Sequence, residues 1–535
     1  HYHDKITVDK ASAPGAKVKY VQNFSDGTFY DDMRTCIMTF PVKAGKEAKA
    51  VFETTITDPT QFCDIWFDRL YPVDTYTIEI NVPAQLASKM RFDPRHLPAG
   101  TQLLSTADAK GNLRYDLTLK NVKAFKSEPL GMPSTLCNPQ IMVSGVFDGV
   151  EDVYRYLMSF VDQNEPVDEA VAQLAASLTA GCGGDIAKID TIASWVRQNI
   201  RYVGIEHGEY AHKPDAATSV LKKRYGDCKG SANLIKAMLK STGIDGRLCW
   251  IGTYPQIDFT WEEYPGIGAG NHLIAAAVLP DTIIYIDGTA SYLPKGYIPN
   301  SIQGQKAMIE NGETPLLLDV PRQPVDSSID EIKAAYAVVD GKLSGHIHRM
   351  LTGTLCSVYD NAVNMTSSDR RDLMLVKNLS TDRKSVSVSN VDYRRSAPNA
   401  SCAFIDYDIV DQSALTTSTK ADYVAIDLLR DEFVEPVDTD DRQRGVLIEM
   451  PYKYVAEATL GIPEGYADVV LPEDYTIDNK WYEGAIKYTR SDDKIKIVCE
   501  IAPRELTASL DELAEWNKVV KEARKASARR LKFVK

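Results

Sequence analysis

The chain has 535 residues, of which 44% are hydrophobic and 25% charged, and its formal net charge is -13. This is ordinary globular composition, so a mainly disordered or low-complexity chain is excluded, and the length calls for about three or four folding units. The acidity disfavours a nucleic-acid partner, because phosphate binding needs a basic face, and no run of about 18 apolar residues is present to span a bilayer.

The sequence starts at His1 rather than methionine, as a processed or truncated chain does. Removal of a signal peptide would give that start, so an exported location is expected, periplasmic, cell-surface or secreted. Nine cysteines (Cys36, Cys63, Cys137, Cys182, Cys228, Cys249, Cys356, Cys402, Cys499) contain no CxxC pair, which points to neither a zinc site nor a dense disulfide frame. His1 and His3 read as a frayed terminus.

From about residue 17 to 145 the pattern is short β-type runs between turn residues, at 36–40, 50–55, 76–82 and 115–120. Residues 1–149 are therefore read as an antiparallel β-sandwich-type domain, with no residues grouped for catalysis. Helical spacing follows at 150–160, 167–178, 185–200 and 228–242, the last with Leu234, Ile235, Met238 and Leu239 on one face and Gly243 as its stop. Two strands come next, 271–279 and 282–287, hinged at Pro280-Asp281, so residues 150–325 form an α+β core. Beyond the Pro-rich stretch 314–324, β-type runs return at 334–350, 386–391, 403–410, 445–450 and 495–501. The expectation for 326–535 is a second antiparallel β-sandwich-type domain, ending in an amphipathic helix from about Ser509 whose basic end meets the helix's negative pole. The fold class is thus multidomain α+β. No internal repeat is present.

The segment Arg224-Tyr225-Gly226-Asp227-Cys228-Lys229-Gly230 puts a cysteine at the start of a helix, just after a tight turn. Free N–H groups there favour negative charge, and Lys229 adds a cation, so a thiolate is stabilised and a developing oxyanion can be received. A lone cysteine at such a place is more often a small buried residue. A cysteine nucleophile needs a histidine to take its proton and a carboxylate to fix that histidine's tautomer. If Pro280-Asp281 is a two-residue turn, His272 faces Thr289 and lies diagonal to Asp287, with both side chains on one face of the hairpin. A slip of one residue would put them on opposite faces. Alone, His272 reads as an interior histidine and Asp287 as a turn residue; the coincidence of three residue types, a helix start and a matched hairpin favours a Cys228–His272–Asp287 triad.

The stretches Tyr202-Val203-Gly204-Ile205-Glu206, Lys213-Pro214-Asp215-Ala216, Val220-Leu221-Lys222 and the cysteine segment, followed by Asn271-His272 and Tyr285-Ile286-Asp287-Gly288-Thr289-Ala290, resemble the core of bacterial transglutaminase-like, papain-related proteins. The resemblance covers residues 192–294 at motif level and implies the same triad, in a core flanked by two β domains. One departure is Gly230, where the family's motif commonly continues Cys-Lys-Asp; glycine in a first helical turn costs up to about 1 kcal/mol and removes a carboxylate. The second oxyanion donor is expected upstream of the cysteine, with Tyr202 as candidate.

Other residues read more blandly. His346 and His348 share a strand face at a spacing that can chelate metal, but no third ligand is nearby, so they read as a surface pair. Cys249, within Leu248-Cys249-Trp250-Ile251, reads as inertly buried. The expected chemistry is attack of a Cys228 thiolate on an amide or peptide carbonyl, with water completing hydrolysis and neither metal nor organic cofactor required. The partner implied is a peptide or protein amide substrate. Two alternatives stand beside it: a non-catalytic binding or scaffold protein on the same fold, and a true protein-crosslinking transglutaminase. The calcium-dependent form of the latter lacks an acidic D-x-D-x-D-G run in this sequence.

Overall fold

Alternating side chains give the N-terminal strands their two faces. Val73–Val82 pairs antiparallel with Leu113–Val122, and Leu117 and Leu119 of the second strand are buried. They share a small core with Phe67 and with Ile141 and Val143 of Gln140–Ser144, a strand that is itself paired with Ile65–Trp66 and Arg91–Arg95. Two further antiparallel ribbons precede them, Ile6–Ser12 with Val51–Ile56 and Lys17–Gln22 with Arg34–Thr39. The region is a set of short sheets with one small core among them.

The computed structural model describes residues 5–22, 28–30, 34–62, 64–145, 147–205, 211–381, 383–395, 401–429 and 435–535. His1, His3, Cys63 and Glu206 lie outside these. The eight cysteines within them carry free thiols. No helix among the described residues is long and apolar enough to cross a membrane.

The chain divides into two compact units. The first runs to Lys126 and adds Pro133–Ser291 and Ser301–Arg322; the second is Ser127–Met132, Tyr292–Asn300 and Gln323–Lys535. The larger core of the first unit is a five-stranded antiparallel sheet in the order Ile283–Ile286, His272–Val278, Asp245–Ile251, Lys306–Ile309, Leu316–Asp319. Helix Cys228–Ser241 packs on it, with Val150–Met158, Glu169–Thr179 and Asp185–Asn199 contributing to the same apolar cluster. That helix stops where Gly243 takes φ 82°, letting the Ile244 N–H reach back to the Leu239 carbonyl at 3.1 Å.

The second unit departs from its sequence reading in three ways. Its main sheet has eight strands and is mixed, because Ile329–Val339 runs parallel to Lys453–Gly461. Two helices, Gly353–Met365 and Arg371–Ser380, fill a stretch to which the alternation pattern assigned nothing. Gly353 opens the first with φ 55°, and a Cβ there would lie 2.5 Å from the Ser327 carbonyl oxygen, so only glycine fits that entry. The third departure is the C-terminus: the helix is Leu513–Ser527, and Arg530–Val534 is a strand, not the basic end of a helix. Leu531 and Phe533 alternate inward between Ala421–Ala425 and Asp468–Val470, and period-two burial outweighs the lysines and arginines around them.

That terminal strand makes a direct test of the second unit's packing. Phe533 is 1% exposed, so Phe533→Ala is expected to cost about 3–5 kcal/mol, read as a drop in denaturant midpoint. A loss under about 1 kcal/mol would mean the C-terminal strand is not part of the folded sheet.

Candidate active site

Cys228 owes its place to Asp227. The Asp227 carboxylate accepts the Gly230 N–H at 3.0 Å and its carbonyl accepts the Ser231 N–H at 3.0 Å, so the helix starts at the cysteine itself. The other carboxylate oxygen is held by the Lys229 ammonium in a buried ion pair. These bonds leave the Cys228 N–H at the positive end of the helix. Cys228 is 8% exposed, inside the apolar cluster but with an edge to the outside. A Cβ at Gly230 would stand 3.0 Å from a Val220 methyl, so close packing against helix Ala217–Lys223 accounts for glycine at the position where the resemblance leads one to expect aspartate.

The hairpin has the register read from its turn. Val278 pairs with Ile283, and Ala275 with Ile286, closed by the Leu279 N–H to the Thr282 carbonyl at 2.9 Å. The ladder ends there, and the chain turns at Asp287-Gly288 instead of pairing His272 with Thr289. Asp287 nevertheless reaches the histidine: its Oδ2 lies 3.0 Å from His272 Nε2. Its Oδ1 accepts the Thr289 N–H at 2.8 Å and the Thr289 hydroxyl at 2.7 Å, so both carboxylate oxygens are engaged. The Cys228 sulfur lies close enough to the His272 imidazole to help raise it. Sulfur, imidazole and carboxylate are therefore brought into one chain of contacts.

Two supports lay outside the sequence reading. The Arg197 guanidinium, buried at the end of helix Asp185–Asn199, donates through Nε to the Asp287 carbonyl at 2.8 Å. Its signal was legible: position 197 falls on the apolar stripe of Ile189, Ala193 and Val196, where a solvated arginine does not belong. Gly288 is the other. A Cβ there would come within 2.9 Å of Ile235 and 3.1 Å of Ser231, so the turn bearing Asp287 lies directly against the cysteine helix.

The electrostatics follow from burial and pairing. Burial by itself would push the His272 imidazole down, but the charge and hydrogen bond of Asp287, joined by the Cys228 sulfur, outweigh it and carry the histidine up to about 10. Burial likewise opposes the charged form of Asp287, yet His272 and the two Thr289 donors hold its carboxyl well below the usual range.

The remaining residues singled out in the sequence have the following surroundings. Tyr202 pairs with Gly226 in a short parallel ladder leading to the cysteine and is 42% exposed. Cys249 is fully buried, and burial pushes its thiol far above the ordinary range. His346 and His348 each face an aspartate across the sheet, Asp408 at 2.8 Å and Asp406 at 2.7 Å. No group of three or more metal-type side chains occurs among the described residues.

The histidine's folded-state pKa lies above the ordinary 6.5, so its contribution to stability is full below that pH and fades as pH rises toward about 10. Asp287 is shifted down, so its contribution is full above 3.8 and fades in acid. Stability from the pair should therefore be greatest between those two values, and Asp287→Asn should flatten the profile. In the same variant the charge of Asp287 is gone, and the imidazole's titration, followed by NMR, should fall well below about 10. An unchanged titration would remove Asp287 as the group that sets it.

Comparison with known proteins agrees with this site in part of the chain. Residues 172–282 match the family model described as the transglutaminase-like superfamily, a span holding Cys228 and His272 but ending before Asp287. Residues 429–533 match a second model, described as a domain of unknown function with solved structure (DUF3858). The crystal structure of a candidate protease from Parabacteroides distasonis aligns over 99% of this chain and 89% of its own, with a TM-score of 0.60 at 12% identity, which is a likeness of fold. A candidate cysteine protease from Cytophaga hutchinsonii aligns over 42% of this chain and 74% of its own at 17% identity, but its TM-score of 0.20 is too low to bear on the site. No curated protein matches the sequence. The α+β core that carries the cysteine helix and the histidine strand is a domain of the transglutaminase-like superfamily.

Proposed function

We propose that the protein is a cysteine-dependent amide hydrolase, with Cys228 as nucleophile, His272 as general base and acid, and Asp287 as the group that orients the histidine. The observation that carries this reading is the imidazole held between a helix-start thiol and a buried carboxylate. His272, raised to about 10, holds the proton given up by Cys228, and the sulfur attacks the carbonyl carbon of a peptide or protein amide. The Cys228 N–H at the helix start faces the charge that develops on oxygen. As the tetrahedral intermediate collapses the C–N bond breaks, the amine leaves with the proton from His272, and a thioester remains. Water then gives its proton to His272, adds to the thioester and releases the acid, and sulfur recovers the proton. The candidate protease from Parabacteroides distasonis that shares the fold is consistent with hydrolysis in place of transfer to an amine. Each step uses side chains of this chain alone.

The reading is tested with iodoacetamide at neutral pH. Cys228 should alkylate far faster than Cys249, whose thiol is pushed up by burial, and His272→Ala should slow it by about 100-fold or more. Equal rates at Cys228 and Cys249, or no effect of His272→Ala, would leave the cysteine an ordinary buried thiol.

A further inference from the structure

We propose that the first unit holds a second binding site, a cleft of about 340 Å³ that takes a small zwitterion with a free ammonium and a free carboxylate, either an amino acid or a short unblocked peptide. Its walls come from two distant parts of the sequence. Trp66, Arg95 and His96 belong to the N-terminal sheets and their turns; Asp258 and Phe259 belong to the loop that joins strand Asp245–Ile251 to strand His272–Val278. Cys228, His272 and Asp287 are not among its lining residues.

The charges in the cleft are what call for a ligand. Asp258 is exposed and makes no hydrogen bond or ion pair among the described residues. Arg95 has its Nε 3.2 Å from Asp93, a carboxylate that is 60% exposed, and its guanidinium carbon lies 5.5 Å above the Phe259 ring. The ring fixes the guanidinium plane, while the two terminal nitrogens make no hydrogen bond among the described residues. Arg95 and Asp258 sense each other's charge but are not close enough to form an ion pair. Opposite charges that line one cleft without meeting leave a gap, and a zwitterion closes it, its carboxylate on the guanidinium and its ammonium on Asp258.

The neighbouring groups fit the ammonium end. Burial, with the adjacent Arg95, pushes His96 below its ordinary 6.5 and so disfavours the charged ring. A ring that resists charge does not repel an ammonium. Asp64 also lines the cleft, held by the Val143 N–H at 2.9 Å and the Tyr264 hydroxyl at 2.7 Å through one oxygen. Two carboxylates against one guanidinium would repel a phosphate or another multiply charged anion. The volume lies near the lower end of ligand clefts, which span about 300–1,000 Å³, so the ligand is small.

Calorimetric titration of the full chain carrying Cys228→Ser tests this, because no probe can then be consumed and the result does not depend on the proposed hydrolysis. The probes are L-alanine, L-alanyl-L-alanine, its N-acetyl form and its C-terminal amide. At least one of the two zwitterions should bind with a Kd of about 1 mM or tighter, and each blocked form of the dipeptide about tenfold or more weakly than the dipeptide. Whichever of alanine and the dipeptide binds tighter tells a free amino acid from a peptide. Asp258→Asn and Arg95→Gln should each weaken binding about tenfold or more; Asp258, exposed and without a bonded partner, carries the test if Arg95→Gln does not fold. The proposal is overturned if neither zwitterion binds at about 10 mM, if the blocked dipeptides bind as well as the free one, or if a folded Asp258 or Arg95 variant binds as the parent does.

Discussion

The contact between Asp287 and His272 is the constraint on which the site rests, and it is a matter of register. In a hairpin each strand position has one face, so the two-residue turn at Pro280-Asp281 decides whether the carboxylate and the imidazole share a side. Had the turn taken one residue more or fewer, Asp287 would point away and His272 would be a buried base without a counter-charge. The ladder stops at Ile286, just before the residue that matters, and this frees Asp287 to swing diagonally to Nε2 instead of projecting straight from the sheet.

Holding charge inside an apolar cluster demands that every polar atom be answered, and each member of the set is answered by a different element. Thr289 occupies one oxygen of Asp287 and His272 the other, while Arg197 ties down the backbone carbonyl of the same residue from helix Asp185–Asn199. The carboxylate therefore has little freedom to rotate, which keeps the imidazole in one orientation. On the cysteine side Asp227 does two jobs at once, capping the helix and neutralising Lys229. The lysine's positive charge is thereby spent locally, and the field felt by the thiol comes chiefly from the helix start and from His272.

What the sequence revealed here were features with short-range causes. The cysteine helix was legible because its cap, its apolar face and Gly243 lie within seventeen residues, 227–243, and the hairpin because its turn and alternation are local. The terminal strand was not: Arg530 and Lys532 beside Ala528 look like a continuing basic helix until Ala421–Ala425 and Asp468–Val470, far away in the chain, supply edges for it to join. The parallel pairing of Ile329–Val339 with Lys453–Gly461 was hidden for the same reason, since a strand's pattern does not record the direction of its neighbour. Arg197 lies between these cases. Its place on an apolar stripe marked it as unusual, but only the fold names its partner.

Close backbone approach explains why the site tolerates so little bulk. Gly288 brings the aspartate turn against Ser231 and Ile235, and Gly230 lets the same helix press on Val220, so the helix that starts at Cys228 is gripped on two sides. A rigid helix start fixes both the sulfur and the first N–H, whereas a loop would leave each to be ordered separately. The aspartate that the resemblance leads one to expect after Cys-Lys would need the space Val220 occupies. Its absence therefore reflects how tightly this core is packed around the cysteine.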